Sequence, residues 1–131
     1  MATHEASCSC GQLRLTAEAD PIRVSICHCL ACQRRTGSAF GVQARFAADQ
    51  VSVSGDYVDY VRIADDGDER TFHFCPECGG TVFFNFPAAP EMVAVPVGAF
   101  ADPSFPRPVR SIYDSRRHPW VTVPDSIEIL E

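Results

Sequence analysis

Apolar side chains recur at every second position along much of this chain. Leu13 and Leu15 follow this spacing, as do Phe40, Val42, Ala44 and Phe46, and Val51 and Val53. So do Val82, Phe84 and Phe86, and Val93, Val95 and Val97. A period of two puts alternate side chains on one face of an extended strand. No window of twelve residues carries the stripe of an amphipathic helix. Ten prolines and eight glycines interrupt the runs at short intervals, as turns between short strands require. The pattern predicts an all-β fold.

Within it, Asp56–Cys75 reads as a hairpin. Two strand-like runs flank an acidic tip in which Asp66-Gly67 supplies the positive-φ pair of a tight turn. The tip carboxylates lack the spacing of a calcium loop, so the segment is expected to be a solvated turn. Pro87–Pro90 and Asp102–Pro108 read as loops, the second able to fold over a site. The terminal Asp125–Glu131 is expected to be an edge strand or a tail.

A chain of 131 residues fits one domain, 1–131, and can bury a core without disulfide staples. It shows neither a basic start followed by an apolar run nor a stretch near the roughly 18 apolar residues that span a membrane. The expectation is a cytoplasmic protein with no membrane partner. In that reducing setting seven cysteines do not form a disulfide framework, and an odd number cannot pair completely. Metal binding is the better explanation.

The formal net charge of −6 argues against nucleic acid as a partner, because a sequence-independent grip on phosphate needs a basic footprint. All eleven basic residues are arginine. Without lysine, no side-chain amine is present to form a Schiff base with a carbonyl substrate.

The cysteines divide as Cys8 and Cys10, then Cys27, Cys29 and Cys32, then Cys75 and Cys78. Cys75-Pro-Glu-Cys78-Gly-Gly has the form of a zinc knuckle, in which a tight turn aims two thiolates at one metal. A knuckle supplies half a site. Cys8 and Cys10 project to one face of an extended chain and most economically supply the other half, closing a structural site of four thiolates. Cys27, Cys29 and Cys32 remain for a second ion, and three ligands leave one position for water or substrate, as in catalytic zinc sites. His28 points away from the two thiolates of an extended Cys-X-Cys, whereas His4, His73 or His118 could close the site from a distance. Two Zn2+ per chain are therefore expected, although four thiolates can also hold an iron–sulfur cluster. Seven thiolates and two dications make an already acidic chain more negative, and Arg34, Arg35 and the N–H groups of Gly37 and Ser38 stand ready to offset this locally.

The segments CSCGQLRL, CHCLACQRRTGSAF and FHFCPECGGTVFF, in this order and spacing, closely resemble the glutathione-dependent formaldehyde-activating (GFA) family, which also includes centromere protein V. The resemblance is clear from Cys8 to Phe86 and weaker through Val97–Phe100 to His118–Val121. It implies a β-tent of small antiparallel sheets built around a structural zinc. It assigns Cys8, Cys10, Cys75 and Cys78 to that zinc, and Cys27, Cys29 and Cys32 to a catalytic one. The implied activity is that of an S-(hydroxymethyl)glutathione synthase, a carbon–sulfur lyase running in the direction of synthesis, with glutathione and formaldehyde as partners. The thiol of glutathione would take the open zinc position, so that no cysteine of the protein need act as nucleophile. Thr36, Gly37 and Ser38 are then candidate donors to the forming alkoxide. Arg34, Arg35, Arg116 and Arg117 are candidates to receive the carboxylates of glutathione, and Trp120 a candidate pocket wall. The alternative is a non-catalytic zinc-binding scaffold of the same fold.

Overall fold

A computed structural model describes residues 2–131. The all-β expectation holds: strands dominate, and among the described residues α-helix is confined to one segment of seven residues. A small sheet takes β1 (His4–Ser7), β2 (Arg14–Ala17) and β5 (Val51–Ser54) in the order β1-β2-β5. A larger sheet takes β3 (Arg23–Cys27), β4 (Gly41–Ala47), β6 (Val58–Ile63), β7 (Glu69–Phe74), β8 (Thr81–Asn85), β9 (Met92–Pro96), β10 (Arg110–Ile112) and β11 (Glu128–Ile129). Its order is β11-β10-β3-β4-β9-β8-β7-β6. Pairing is antiparallel except where β10 lies parallel to β3 and to β11.

The period-two residues explain how the sheets pack. Leu13 and Leu15 from the small-sheet side meet Ala44, Phe46, Val93 and Val95 of the large sheet in the main core. Leu13 and Phe46 are completely buried there, each such side chain contributing roughly 1.5–3 kcal/mol of apolar transfer. Alternation then sends Gln43 and Arg45 of β4, and Ala94 of β9, to the opposite face of the large sheet. Phe72, Phe84 and Phe86 join Ala94 there in a second cluster.

One run departs from the pattern. Val82 and Phe83 both reach the main core, while Phe84 and Phe86 turn to the other face. The β7–β8 register shifts between His73 and Phe74, pairing His73 with Phe83 but Phe74 with Thr81. The irregularity absorbs Val82 and resets the facing of the residues after it.

The hairpin at Asp56–Cys75 forms as β6 and β7, with Gly67 at φ +89° in its turn. Asp125–Glu131 supplies the edge strand β11, tied to β10 by Arg110 Nε donating to Glu128 Oε1 at 2.7 Å. The Asp102–Pro108 loop folds elsewhere than over a site. Its Phe105 stacks on Phe100 at 4.4 Å and meets the His4 ring at 5.1 Å, closing one end of the main core. Apolar burial fixes it there. No helix among the described residues is long and apolar enough to cross a membrane.

Candidate active site and metal centres

Four cysteines meet where the two sheets touch. Cys8 follows β1 and Cys75 follows β7, and each begins a turn that brings in a second sulfur, from Cys10 and Cys78. All four Sγ atoms lie within 4.8 Å of one another, and Cys10 Sγ is 3.7 Å from both Cys8 Sγ and Cys75 Sγ. A tetrahedron with Zn–S bonds of about 2.3 Å has S···S edges of roughly 3.8 Å, so the cluster has the dimensions of a zinc site. Donors also point at the sulfurs. Leu13 N reaches Cys8 Sγ at 3.3 Å, Glu77 N reaches Cys75 Sγ at 3.3 Å, and Gln12 Nε2 reaches the same sulfur at 3.0 Å. N–H groups aimed this way favour thiolate over thiol. Burial opposes ionisation of Cys8, but the Leu13 N–H and the neighbouring thiols outweigh it and bring its pKa to about 6. Gln12 N–H favours the Cys10 thiolate, yet desolvation and its three sulfur neighbours push it up to about 11. Thiols this close ionise together only around a cation.

The knuckle geometry comes from its glycines. Gly79 turns at φ +78° and donates to Cys75 O at 2.8 Å. A Cβ on Gly80 would sit 3.4 Å from Cys8 Cβ and 3.6 Å from Cys78 Sγ, inside the cluster.

The second cluster is local. Cys27 ends β3, and Cys29 caps a short helix, α1 (Leu30–Thr36), whose first turn carries Cys32. All three are buried and lie within 4.8 Å of one another. Cys32 N donates to Cys29 Sγ at 3.3 Å, so the sulfur takes the place of an N-cap oxygen. Hydrogen bonds from Cys27 and Cys32 pull the Cys29 thiol down to about 2, and the same contact with Cys29 pushes Cys27 far above the ordinary thiol range.

Among the described residues no His, Asp or Glu joins these three. His28 turns away into full burial, its Nε2 3.0 Å from Ser111 Oγ on β10. His4 pairs with Asp20 at 3.0 Å, His73 sits between Asp59 and Asn85, and His118 meets Gln33 Oε1 at 2.8 Å. The three cysteines line a cavity of about 340 Å3.

Both the sheet face and α1 build that cavity. Gln43, Arg45, Phe84 and Phe86 come from the face opposite the main core, and Arg35 comes from α1. Arg62 and Arg70 arrive from β6 and β7. The guanidinium groups lie over rings: Arg35 at 5.3 Å and Arg62 at 5.0 Å from the Phe72 centroid, Arg45 at 4.5 Å and Arg70 at 4.8 Å from that of Phe86. Tyr113 completes the wall and packs on the three cysteines. It holds a left-handed backbone, φ +53° and ψ +44°, a conformation that a bulky residue keeps only when its surroundings impose it. Burial, with Asp65 and Asp66 nearby, raises its pKa, so the phenol keeps its proton.

Of the residues expected to bind substrate, Arg35 lines the cavity and the others lie elsewhere. Arg34 faces a neighbouring groove with Tyr60 and Phe74. Thr36, Gly37 and Ser38 are consumed by the end of α1. The Thr36 hydroxyl donates to Cys32 O at 2.9 Å, Gly37 at φ +70° donates to Gln33 O, and Ser38 N donates to Thr36 Oγ1. Trp120 is 71% exposed and stands edge-on to His118, away from the cavity. Arg116 and Arg117 are paired with Asp65 at 2.7 Å and Asp114 at 3.3 Å. Gln43, Arg45, Arg62, Arg70 and Tyr113 escape sequence reasoning. Their one signal is that Gln43 and Arg45 fill the polar positions of an otherwise apolar strand, which reads equally well as a solvent face.

The profile of the family described as "Glutathione-dependent formaldehyde-activating enzyme" matches residues 3–116. Comparison with curated proteins finds no match. Among solved structures, the crystal structure of a Rhodobacter sphaeroides protein is similar, with 20% sequence identity and a TM-score of 0.54. The alignment covers 72% of this chain and 85% of that one, a likeness of fold.

Proposed function

The chain belongs to the glutathione-dependent formaldehyde-activating family, and on that premise we propose that it is a zinc-dependent carbon–sulfur lyase. It joins a small thiol, glutathione first, to formaldehyde or a related small carbonyl. One observation carries the proposal: three buried sulfurs within 4.8 Å, with no fourth side-chain ligand among the described residues, open onto a cavity. Cys27, Cys29 and Cys32 would hold the catalytic Zn2+, and Cys8, Cys10, Cys75 and Cys78 a structural one, in a reducing compartment such as the cytoplasm.

Zinc, when bound, supplies a soft Lewis acid that keeps an incoming thiol ionised near neutral pH. Full ionisation of a thiol with pKa near 8.5 gains roughly 30-fold at pH 7, about 2 kcal/mol. The chain's own residues must supply the remainder. The cap of α1 fixes the three sulfurs relative to β3, and the aromatic wall excludes bulk water. In the reaction a C–S bond forms between thiol sulfur and carbonyl carbon, the C=O π pair moves to oxygen, and that oxygen takes up the proton lost by the thiol. Tyr113, whose side chain packs against the cluster and lines the cavity, takes the donor role toward this oxygen.

The test is spectroscopic and kinetic. Cobalt substituted at the second site should change its visible spectrum when glutathione is added, and Cys29→Ser should abolish the change while leaving the fold intact. Tyr113→Phe should lower the formaldehyde-dependent rate above the spontaneous background by about 100-fold with little effect on the cobalt spectrum. If no thiol perturbs cobalt and the rate stays at background, the chain is a scaffold of this fold and the catalytic proposal falls.

A further inference from the structure

His28 separates two of the three sulfurs, and its ring is anchored from a residue 83 positions away. The ring is completely buried, as is Ser111. Nε2 of His28 meets Ser111 Oγ at 3.0 Å, and the Ser111 hydroxyl donates to Asp114 Oδ1 at 2.8 Å. A hydroxyl has one proton to give. With that proton spent on Asp114, Ser111 accepts from His28, so the imidazole carries a proton on Nε2 and donates it. Asp114 Oδ1 lies 4.0 Å from Nε2, beyond a direct hydrogen bond, which makes Ser111 the link. Arg117 Nε, 3.3 Å from the same oxygen, holds Asp114 in turn. The other ring nitrogen, Nδ1, is buried with no hydrogen-bond partner among the described residues. Nε2 is therefore the one polar anchor of the ring.

This chain of hydrogen bonds reaches both halves of the site. At one end it fixes the ring between Cys27 and Cys29, whose backbone is tied to the same strand: His28 N donates to Ile112 O at 3.0 Å, and Ile112 is the register partner of Cys27. At the other end the bond from Ser111 to Asp114 spans Tyr113. That residue keeps its left-handed backbone while packing on the cysteines, and a side-chain bond closing the turn around it is a constraint of the kind such a backbone needs. Packing alone would not do this. An apolar side chain at position 28 would fill the space, but apolar burial has no direction and fixes no rotation.

We infer that His28, Ser111 and Asp114 are positioning residues, a buried hydrogen-bonded chain that orients the Cys27–Cys29 turn and holds Tyr113 in place beside it. The purpose of this chain rests on the zinc and thiol chemistry proposed above. None of the three residues lines the cavity, so each acts through the sulfurs and the phenol that do. Partners of this kind, one step outside the ligands of a metal, change metal affinity or activity by about 10- to 100-fold when removed.

Two substitutions of similar size separate direction from packing. His28→Gln keeps an N–H that can reach Ser111, whereas His28→Leu fills the space without one. Cobalt at the three-cysteine site should give the native visible spectrum in His28→Gln and a shifted one in His28→Leu, with release to a chelator about 10-fold faster in the second. Asp114 is partly exposed, so Asp114→Ala decides the matter if the His28 variants do not fold. It should lower the formaldehyde-dependent rate at saturating thiol by about 10-fold, with no change in the thiol concentration that half-alters the cobalt spectrum. Apart from turnover, nitrogen NMR of the native protein should place a slowly exchanging His28 ring proton on Nε2. A ring with Nε2 unprotonated, equal cobalt spectra and release rates in the two His28 variants, or a native rate in Asp114→Ala overturns the positioning chain and leaves the zinc–thiol proposal standing. An Nε2 proton and a cobalt spectrum that distinguishes Gln from Leu, with no response to any thiol and only the background rate in native protein, supports the chain and overturns the catalysis.

Discussion

Gly55 is where one methyl group would do most harm. It sits at φ +100°, and a Cβ built there would lie 2.0 Å from Gln12 O. That carbonyl belongs to the segment carrying Cys8 and Cys10, and the Gln12 side chain is locked to Asp56 by two hydrogen bonds of 2.7 and 2.9 Å. Gly67 has a similar φ, +89°, but open space around it. Gly55→Ala is therefore expected to cost about 3 kcal/mol or more, and Gly67→Ala about 1 kcal/mol. Urea unfolding of the zinc-loaded protein measures both, and equal losses would mean that backbone strain alone governs. The same neighbourhood marks what could be read in advance. The cysteine groups were legible because their spacing encodes them. Gln12 was not, since its contact with Cys75 spans 63 positions and leaves no trace in local spacing.

At the scale of elements, β6 is the exposed margin of the large sheet. Tyr60, Val61 and Ile63 are between half and two-thirds exposed, and an apolar edge with free backbone groups invites pairing with another chain. Val61→Lys should raise the temperature at which heated protein scatters light while changing reversible stability by less than about 0.5 kcal/mol. No change in aggregation would clear this edge of the role. The strands were legible because burial on one face writes a period of two into the chain. The helix α1 was not, for two physical reasons. Seven residues with Cys32 as the sole buried side chain make no stripe, and its cap is a thiol rather than the usual Ser, Thr, Asp or Asn. Nor was the arginine wall. Stacking Arg45 on Phe86 and Arg35 on Phe72 depends on sheet order, which brings β4 two strands from β8, and periodicity alone does not specify that neighbourhood.

For the molecule as a whole, the two clusters differ most in how much chain they close. The sulfurs of Cys10 and Cys75 join positions 65 residues apart, whereas Cys27, Cys29 and Cys32 lie at one strand end and one helical turn. Metal held at the first would therefore contribute directly to folding, and metal held at the second would act on a site that the finished fold already presents. Cys10→Ser or Cys78→Ser should lower the melting temperature drastically or prevent folding, and Cys32→Ser should lower it only slightly. Circular dichroism with metal analysis checks both, and equal effects would contradict the division. Titrating zinc into stripped protein should restore the fold over the first equivalent and thiol binding over the second, with a chelator reversing that order. The long closure also bears on how a cell short of metal would use this chain. On the proposed function, a chain holding metal at the four-cysteine site alone would be folded but idle, and filling the three-cysteine site would switch it on in the time an ion takes to bind, without waiting for synthesis of new chains.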